Sequence, residues 1–238
     1  MTPAHILVIY YSAYGHVFRM AQAAAEGASE AGCRVRVVRI PEMESEKNRR
    51  VYLDKRGRSG PFPSGLDERF KPEARFKMYE TALEWQKDIP IATNDDLRRA
   101  DGILWGFPTY YGMMPSQVKL FLEFAGELCS QGALEGKPAG FFTSAGSIHT
   151  GHEATLLTSM VPLFHFGMIM VGLPYTENPE YLTGEAIGCS PYGASTLAGP
   201  DSSLTPDPRE LLMARRLGRR VANVAAALKA SGFIRHPD

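Results

Sequence analysis

Two rhythms of apolar and polar positions run along this chain. HILVIYY (5–11) is almost wholly apolar and rich in β-branched residues, and it lies between Pro3 and the loop SAYGHV, which predicts a central strand buried on both faces. Residues 17–31 then follow a helical period, with Met20, Ala24, Gly27 and Ala28 on one side and Gly32 as the C-terminal cap. RVRVVRI (34–40) is a strand whose alternating basic residues place it nearer a sheet edge. GILWGF (102–107), KPAGFFTSAG (137–146) and MIMVGLP (168–174) predict a third, fourth and fifth strand. PSQVKLFLEFAGELC (115–129), residues 153–166 and RELLMARRLGRRVANVAAALKA (209–230) predict helices, and residues 175–208, rich in Gly, Pro, Ser and Thr, an irregular segment.

Between the second and third strands stand 61 residues, 41–101, too many for a structureless loop in a compact domain. EARFKMYETALEWQ (73–86) carries Phe76, Tyr79, Leu83 and Gln86 on one stripe and predicts an amphipathic helix, and residues 93–100 open on capping residues and predict a shorter one. Strands alternating with helices imply right-handed crossovers, a parallel sheet and helices on both faces. The expected architecture is therefore α/β, a doubly wound five-stranded parallel sheet in one domain of 238 residues, with a long insertion near 42–93.

Lys and Arg number 26 and Asp and Glu 26, so zero net charge argues against a nucleic-acid partner and against a strongly acidic electron carrier. Residues 42–101 nevertheless hold half of all these charges, and Glu46 to Arg58 is a net-basic arm. Cys33, Cys129 and Cys189 are too few and too scattered for a disulfide framework or a zinc site. No apolar run reaches the ~18 residues of a membrane span, and nothing marks a targeting segment, so a cytoplasmic protein is expected.

In doubly wound sheets, ligands sit beyond the carboxyl ends of the strands, which points to three loops, 12–17, 108–114 and 143–153. SAYGHV offers a hydroxyl, a glycine and the amides of a helix N-terminus, a combination that binds phosphate without Lys or Arg. PTYYGMM places two tyrosines where their faces can flank a planar ring. In TSAGSIHTGHE the glycine spacing copies a P-loop, but His152 and Glu153 replace the required Lys and Ser/Thr. Ser144 half-matches a nucleophile elbow, yet Phe142 stands where a small residue is needed. His149, His152 and Glu153 lack a further ligand group, so no metal is expected. A planar ring with a phosphate tail describes a nucleotide-like cofactor.

Taken together, ILVIYYSAYGHVFRMAQAAAEGA (6–28), GFPTYYGMMPSQVKLFLE (106–123), GALEGKP (132–138), HFGMIMV (165–171) and SPYGASTLAGPDSS (190–203) resemble the WrbA family of flavodoxin-like NAD(P)H:quinone oxidoreductases. The resemblance covers about three quarters of the chain. It implies a flavodoxin-like sheet of order 2-1-3-4-5 and non-covalently bound FMN. The phosphate would lie in Ser12, Ala13, Tyr14, Gly15, His16 and Val17, and the ring against Pro108, Thr109, Tyr110, Tyr111 and Gly112. Thr143, Ser144, Ala145, Gly146, Ser147, Ile148 and His149, with His165, would flank the far edge. Tyr14 matches the family tyrosine associated with the nicotinamide nucleotide, and Cys129 stands where some members carry a tryptophan over the flavin. A homotetramer is implied, with a dimer as the alternative, and residues 190–203 at subunit contacts beside the site.

The implied reaction is two-electron reduction of a quinone by NADH or NADPH, the two co-substrates using one site in turn. The chemistry is flavin-borne, so no catalytic side chain is required. The rivals are an FMN reductase of azo, nitro or other acceptors, a one-electron flavodoxin-type carrier, and a scaffold that has lost its cofactor. The basic arm is either a solvated loop or, through Lys47, Arg49, Arg50, Lys55, Arg56 and Arg58, an attractor for the 2′-phosphate of NADPH.

Overall fold

A computed structural model describes residues 2–42 and 72–234. The basic arm, and with it any part it plays in nucleotide binding, lies outside the described residues. In chain order the elements are β1 (His5–Tyr10), α1 (His16–Glu30), β2 (Arg34–Arg39), α2 (Pro72–Trp85), α3 (Asn94–Arg99) and β3 (Gly102–Pro108). Then come α4 (Ser116–Phe124), α5 (Gly126–Ser130), β4 (Pro138–Ala145), α6 (His152–His165), β5 (Ile169–Met170), β6 (Ala194–Leu197) and α7 (Pro208–Ala230). Every strand pairing is parallel, and the order is β2-β1-β3-β4-β5, with β6 also paired to β4. The doubly wound order expected from the resemblance is therefore observed.

Side-chain alternation along β1 splits the core in two. Ile6, Val8 and Tyr10 join the cluster beneath α1 and α7, while Leu7, Ile9 and Tyr11 join the one beneath α3 to α6. On the first face two glycines bring helix backbones into contact. A methyl group on Gly27 would fall 1.8 Å from the Arg215 carbonyl oxygen, and one on Gly218 1.9 Å from that of Ala24, so only glycine fits at either position.

Two expectations are corrected. The helix expected over 115–129 breaks at Ala125 (φ −88°, ψ 9°) into α4 and α5, where the poor helix former Gly126 follows. The fifth strand expected over 168–174 is only Ile169–Met170. After it the chain turns to the 188–193 segment: a Cβ on Gly172 would lie 2.3 Å from the Pro191 carbonyl oxygen, to which the Leu173 amide donates at 3.0 Å. The edge position is completed by β6, from the segment expected to be irregular, which pairs with Phe142 to Ala145 while β5 pairs with Pro138 and Ala139.

At the amino ends of the strands the buried charges are matched. Asp101, wholly buried, accepts hydrogen bonds from the His5 amide and Lys229 Nζ, both at 2.7 Å. Lys137, also wholly buried, donates to the Leu97 and Arg98 carbonyls at 3.3 and 2.7 Å and so caps the end of α3. Burial pushes the Lys137 ammonium down to about 8, against the favourable field of Asp101.

Candidate functional site

At the opposite end of the sheet the three loops named above converge. β1 and β3 are neighbours whose following helices, α1 and α4, pack on opposite faces, so the crevice between them is the switch point of the fold. A cleft of about 490 Å3 lies there, lined by Ser12, Ala13, Tyr14, His16, Val17, Pro108, Thr109, Tyr110, Tyr111, Ser144, Ala145 and Gly146. All twelve are sequence-predicted positions. Ala198, Gly199, Pro200 and Ser202, which the sequence reading did not place in the cofactor site, form a further wall.

The first loop is an anion-ready helix start. Gly15 precedes α1 at φ 89°, a backbone setting that favours glycine. Ser12 Oγ accepts from the Gly15 and Phe18 amides, each at 3.2 Å, which occupies both lone pairs and leaves the hydroxyl proton to be donated. The amides of His16 and Val17 have no acceptor among the described residues, and the first turn carries no acidic residue. His16 Nε2 lies 2.7 Å from the Leu204 carbonyl, which can only accept, so the ring is the donor. Burial lowers the pKa of this imidazole, despite the opposing hydrogen bond, and keeps it neutral. Its side chain thus ties the 198–204 segment to the phosphate-ready loop.

The second loop is a two-residue hairpin turn. The Tyr110 and Met113 backbones exchange hydrogen bonds at 2.9 and 3.2 Å, with Tyr111 (φ 55°) and Gly112 (φ 77°) between them, the arrangement of a type I′ turn. Glycine is ordinary there, but tyrosine is not, and Tyr111 is 100% exposed. The base is fixed by the Thr109 amide on the Ser144 carbonyl (2.8 Å), by the hydroxyls of Thr155 and Thr109 (2.5 Å), and by Thr158 on the Gly112 carbonyl (3.3 Å).

The third loop meets the fourth wall where the Ala198 amide donates to the Ala145 carbonyl at 2.8 Å. Thr143 lies beneath the cleft, wholly buried, its hydroxyl on the Phe107 carbonyl. Ser147 closes a turn with Thr150, and Ile148 and His149 (φ 62°) continue outward beyond the lining. His165 and Cys129 are not brought to the cleft within this chain. His165 is exposed at the far end of α6, and Cys129 Sγ donates to its carbonyl at 3.3 Å.

The end of α2, in the long connection between β2 and β3, packs against the 12–17 loop, a contact that sequence reasoning missed. A Cβ on Gly15 would lie 2.7 and 3.0 Å from two ring carbons of Trp85, at the end of α2, and the buried Gln86 side chain donates to the Ser12 carbonyl at 3.3 Å. The apolar stripe that predicted the helix gave no sign of what its end would touch.

Comparison with known proteins adds a family. The model of the NADPH-dependent FMN reductase family matches residues 4–177. Proteins named NAD(P)H dehydrogenase (quinone) from Aromatoleum aromaticum and Methylocella silvestris are 40% and 41% identical to this chain; the matches cover 94% and 95% of it and 96% and 99% of those proteins. Among solved structures, a WrbA-like flavodoxin from Agrobacterium tumefaciens superposes with a TM-score of 0.56 at 23% identity, over 93% of this chain and 97% of that one. At that identity the likeness supports the fold.

Proposed function

Because this chain belongs to the NADPH-dependent FMN reductase family, we propose that it is an FMN-dependent NAD(P)H:quinone oxidoreductase. The observation that carries the reading is the joining, in one cleft, of a helix start with unused amides and a tyrosine-bearing turn. The residues present fit the cofactor. Its phosphate would be held by the Ser12 hydroxyl and the His16 and Val17 amides, donors that need no counter-charge. Its ring would lie between the turn at Pro108 to Tyr111 and residues Ser144 to Gly146, with Ala198, Gly199, Pro200 and Ser202 closing the side. When bound, FMN supplies the redox chemistry, taking hydride from NADH or NADPH and giving two electrons to a quinone.

The chain's own task is to bind, orient and shield. Thr109 and Gly112, anchored by Thr155 and Thr158, keep the turn at a fixed height above β3, and the exposed Tyr111 stands beside the open mouth where nicotinamide and quinone enter in turn. Tyr14, in the cleft wall, would meet the nucleotide.

Assembly as a homotetramer is part of the reading. Leu157, Val161 and Phe164 repeat along one side of α6 with 42%, 56% and 60% exposure, an apolar stripe suited to a second copy of the chain. His165 and Cys129 stand at the end of that stripe, so any part they take in a site is in a neighbouring subunit's cleft. Three free thiols suit the reducing cytoplasm, and no described helix is long and apolar enough to cross a membrane.

The test is direct. Purified protein reconstituted with FMN should show flavin absorption and oxidise NADH or NADPH when benzoquinone is present; failure to do so removes the reading.

A further inference from the structure

One carboxylate stands behind the fourth wall of the cleft. Glu210, in the first turn of α7, is 1% exposed, and no Lys, Arg or His among the described residues pairs with it. Four neutral donors surround it instead. Its Oε1 accepts from the Gly188 and Leu197 amides at 2.8 and 3.2 Å, and its Oε2 from the Thr196 hydroxyl and the Asp207 amide at 2.5 and 2.9 Å. A buried carboxylate without a cation is costly, and these four hydrogen bonds offset that cost.

Helix capping accounts for only one of the four. The capping box of α7 uses the Asp207 amide alone, and the other three donors come from residues 188–197. The fit there is close: a Cβ on Gly188 would lie 2.9 Å from Glu210 Oε1 and 2.3 Å from the Ser195 carbonyl oxygen. The Leu197 and Asp207 amides bracket residues 198–206, so a single carboxylate holds both ends of the segment that carries Ala198, Gly199, Pro200 and Ser202 into the cleft wall. Within that segment Ser202 has a φ of 65°, a setting that serine keeps only where its surroundings fix the chain. The segment also meets the third loop through the Ala198 amide on the Ala145 carbonyl, and the Leu204 amide returns to the Ala198 carbonyl at 2.9 Å.

We propose that Glu210 is a positioning residue for the cleft. By holding Thr196, Leu197 and Asp207 on one carboxylate, it fixes where the 198–206 wall stands over Ala145 and Gly146, and with it the fit of the bound ligand. It acts only through the wall, because Glu210 itself does not line the cleft. The identity of that ligand as FMN rests on the cofactor reading above, whereas the anchoring of the wall does not.

The experiment compares full-length wild type with Glu210→Gln, Thr196→Val, Thr196→Ser and Asp101→Ala. Thr196→Val removes one donor to the carboxylate and keeps the shape, so it tests the proposal even if Glu210→Gln fails to fold. Thr196→Ser restores the hydroxyl, and Asp101→Ala, at the far end of the sheet, controls for lost stability. In the flavin-free proteins, hydrogen exchange at the Ala198 and Leu204 amides is read relative to the β1 amides. It should rise by about tenfold in Glu210→Gln and about threefold in Thr196→Val, the order expected for losing hydrogen bonds to a charged group, and stay as in wild type in the other two. FMN should bind more weakly by the same factors in the same two variants. At saturating FMN the visible circular dichroism of the flavin should also change in those two alone, which a general loss of stability would not produce. Unchanged exchange in Glu210→Gln and Thr196→Val would overturn the proposal. So would exchange that responds while FMN affinity and dichroism do not, or an Asp101→Ala variant that weakens FMN as much as they do. If wild type binds no FMN but the exchange responds as expected, the anchor stands and the cofactor reading falls.

Discussion

The two ends of this sheet handle buried polar groups in opposite ways. At the amino ends of the strands, Asp101 and Lys137 bring charges into the interior and each has partners, Asp101 the part-exposed Lys229 and Lys137 the carbonyls of α3. At the carboxyl ends the walls are neutral, the amides of His16 and Val17 lack acceptors among the described residues, and Tyr111 holds a backbone setting that tyrosine disfavours. The first arrangement stabilises the fold and leaves nothing over for a ligand. The second gives up stability to keep donors available, as expected of a binding site.

Substitutions and titrations at each end break or sharpen this contrast. The largest effect is expected at the closed end. Asp101→Ala strands the Lys229 ammonium and the His5 amide and should lower unfolding free energy by about 3 kcal/mol in urea denaturation. The flavin affinity of the molecules that remain folded should stay as in wild type. At the open end, Gly15→Ala meets both a positive φ and the Trp85 ring. It should cost about 1–3 kcal/mol of stability and lower FMN affinity at least tenfold by fluorescence titration.

Titration separates the ends by pH. The Lys137 pKa is about 8 in the folded chain and 10.5 when exposed, so between those values the unfolded chain binds the extra proton. Stability should therefore rise with pH there, by about 1 kcal/mol between about pH 8 and 9, and this rise should vanish in Lys137→Met. His16 has its pKa lowered from 6.5, so the unfolded chain again binds the proton first. Stability should fall as the pH drops below about 6.5, because burial disfavours the charged ring even though its bond to the Leu204 carbonyl favours it. The smallest effect should be a gain: Tyr111→Asn suits a type I′ turn and should add about 0.5 kcal/mol while raising KM for the quinone. A loss of stability there would show that Tyr111 is packed in the assembled protein.

Much of this was legible in the residues. Runs such as HILVIYY and GILWGF suit strands buried on both faces, and the rule that ligands gather at carboxyl ends then points to the 12–17, 108–114 and 143–153 loops, parts of which line the cleft. What stayed hidden depends on partners distant in sequence. ASTL becomes β6 because the outer half of β4 is open beside it. That pairing is also what brings Ala198 to Ser202 into the cleft wall. Trp85 reaches Gly15 across 70 positions, and no local pattern encodes that contact. His165 was legible as a residue near the fifth strand, but the length of α6 carries it to the end away from its own cleft.

The central claim is that the cleft at the carboxyl ends of the strands holds a flavin that both co-substrates reach. Anaerobic spectroscopy of the FMN-reconstituted protein tests it most directly. The visible flavin bands should bleach when NADH or NADPH is added and return when benzoquinone follows. Bands that fail to bleach with either nucleotide, or that stay bleached after the quinone, would contradict the account.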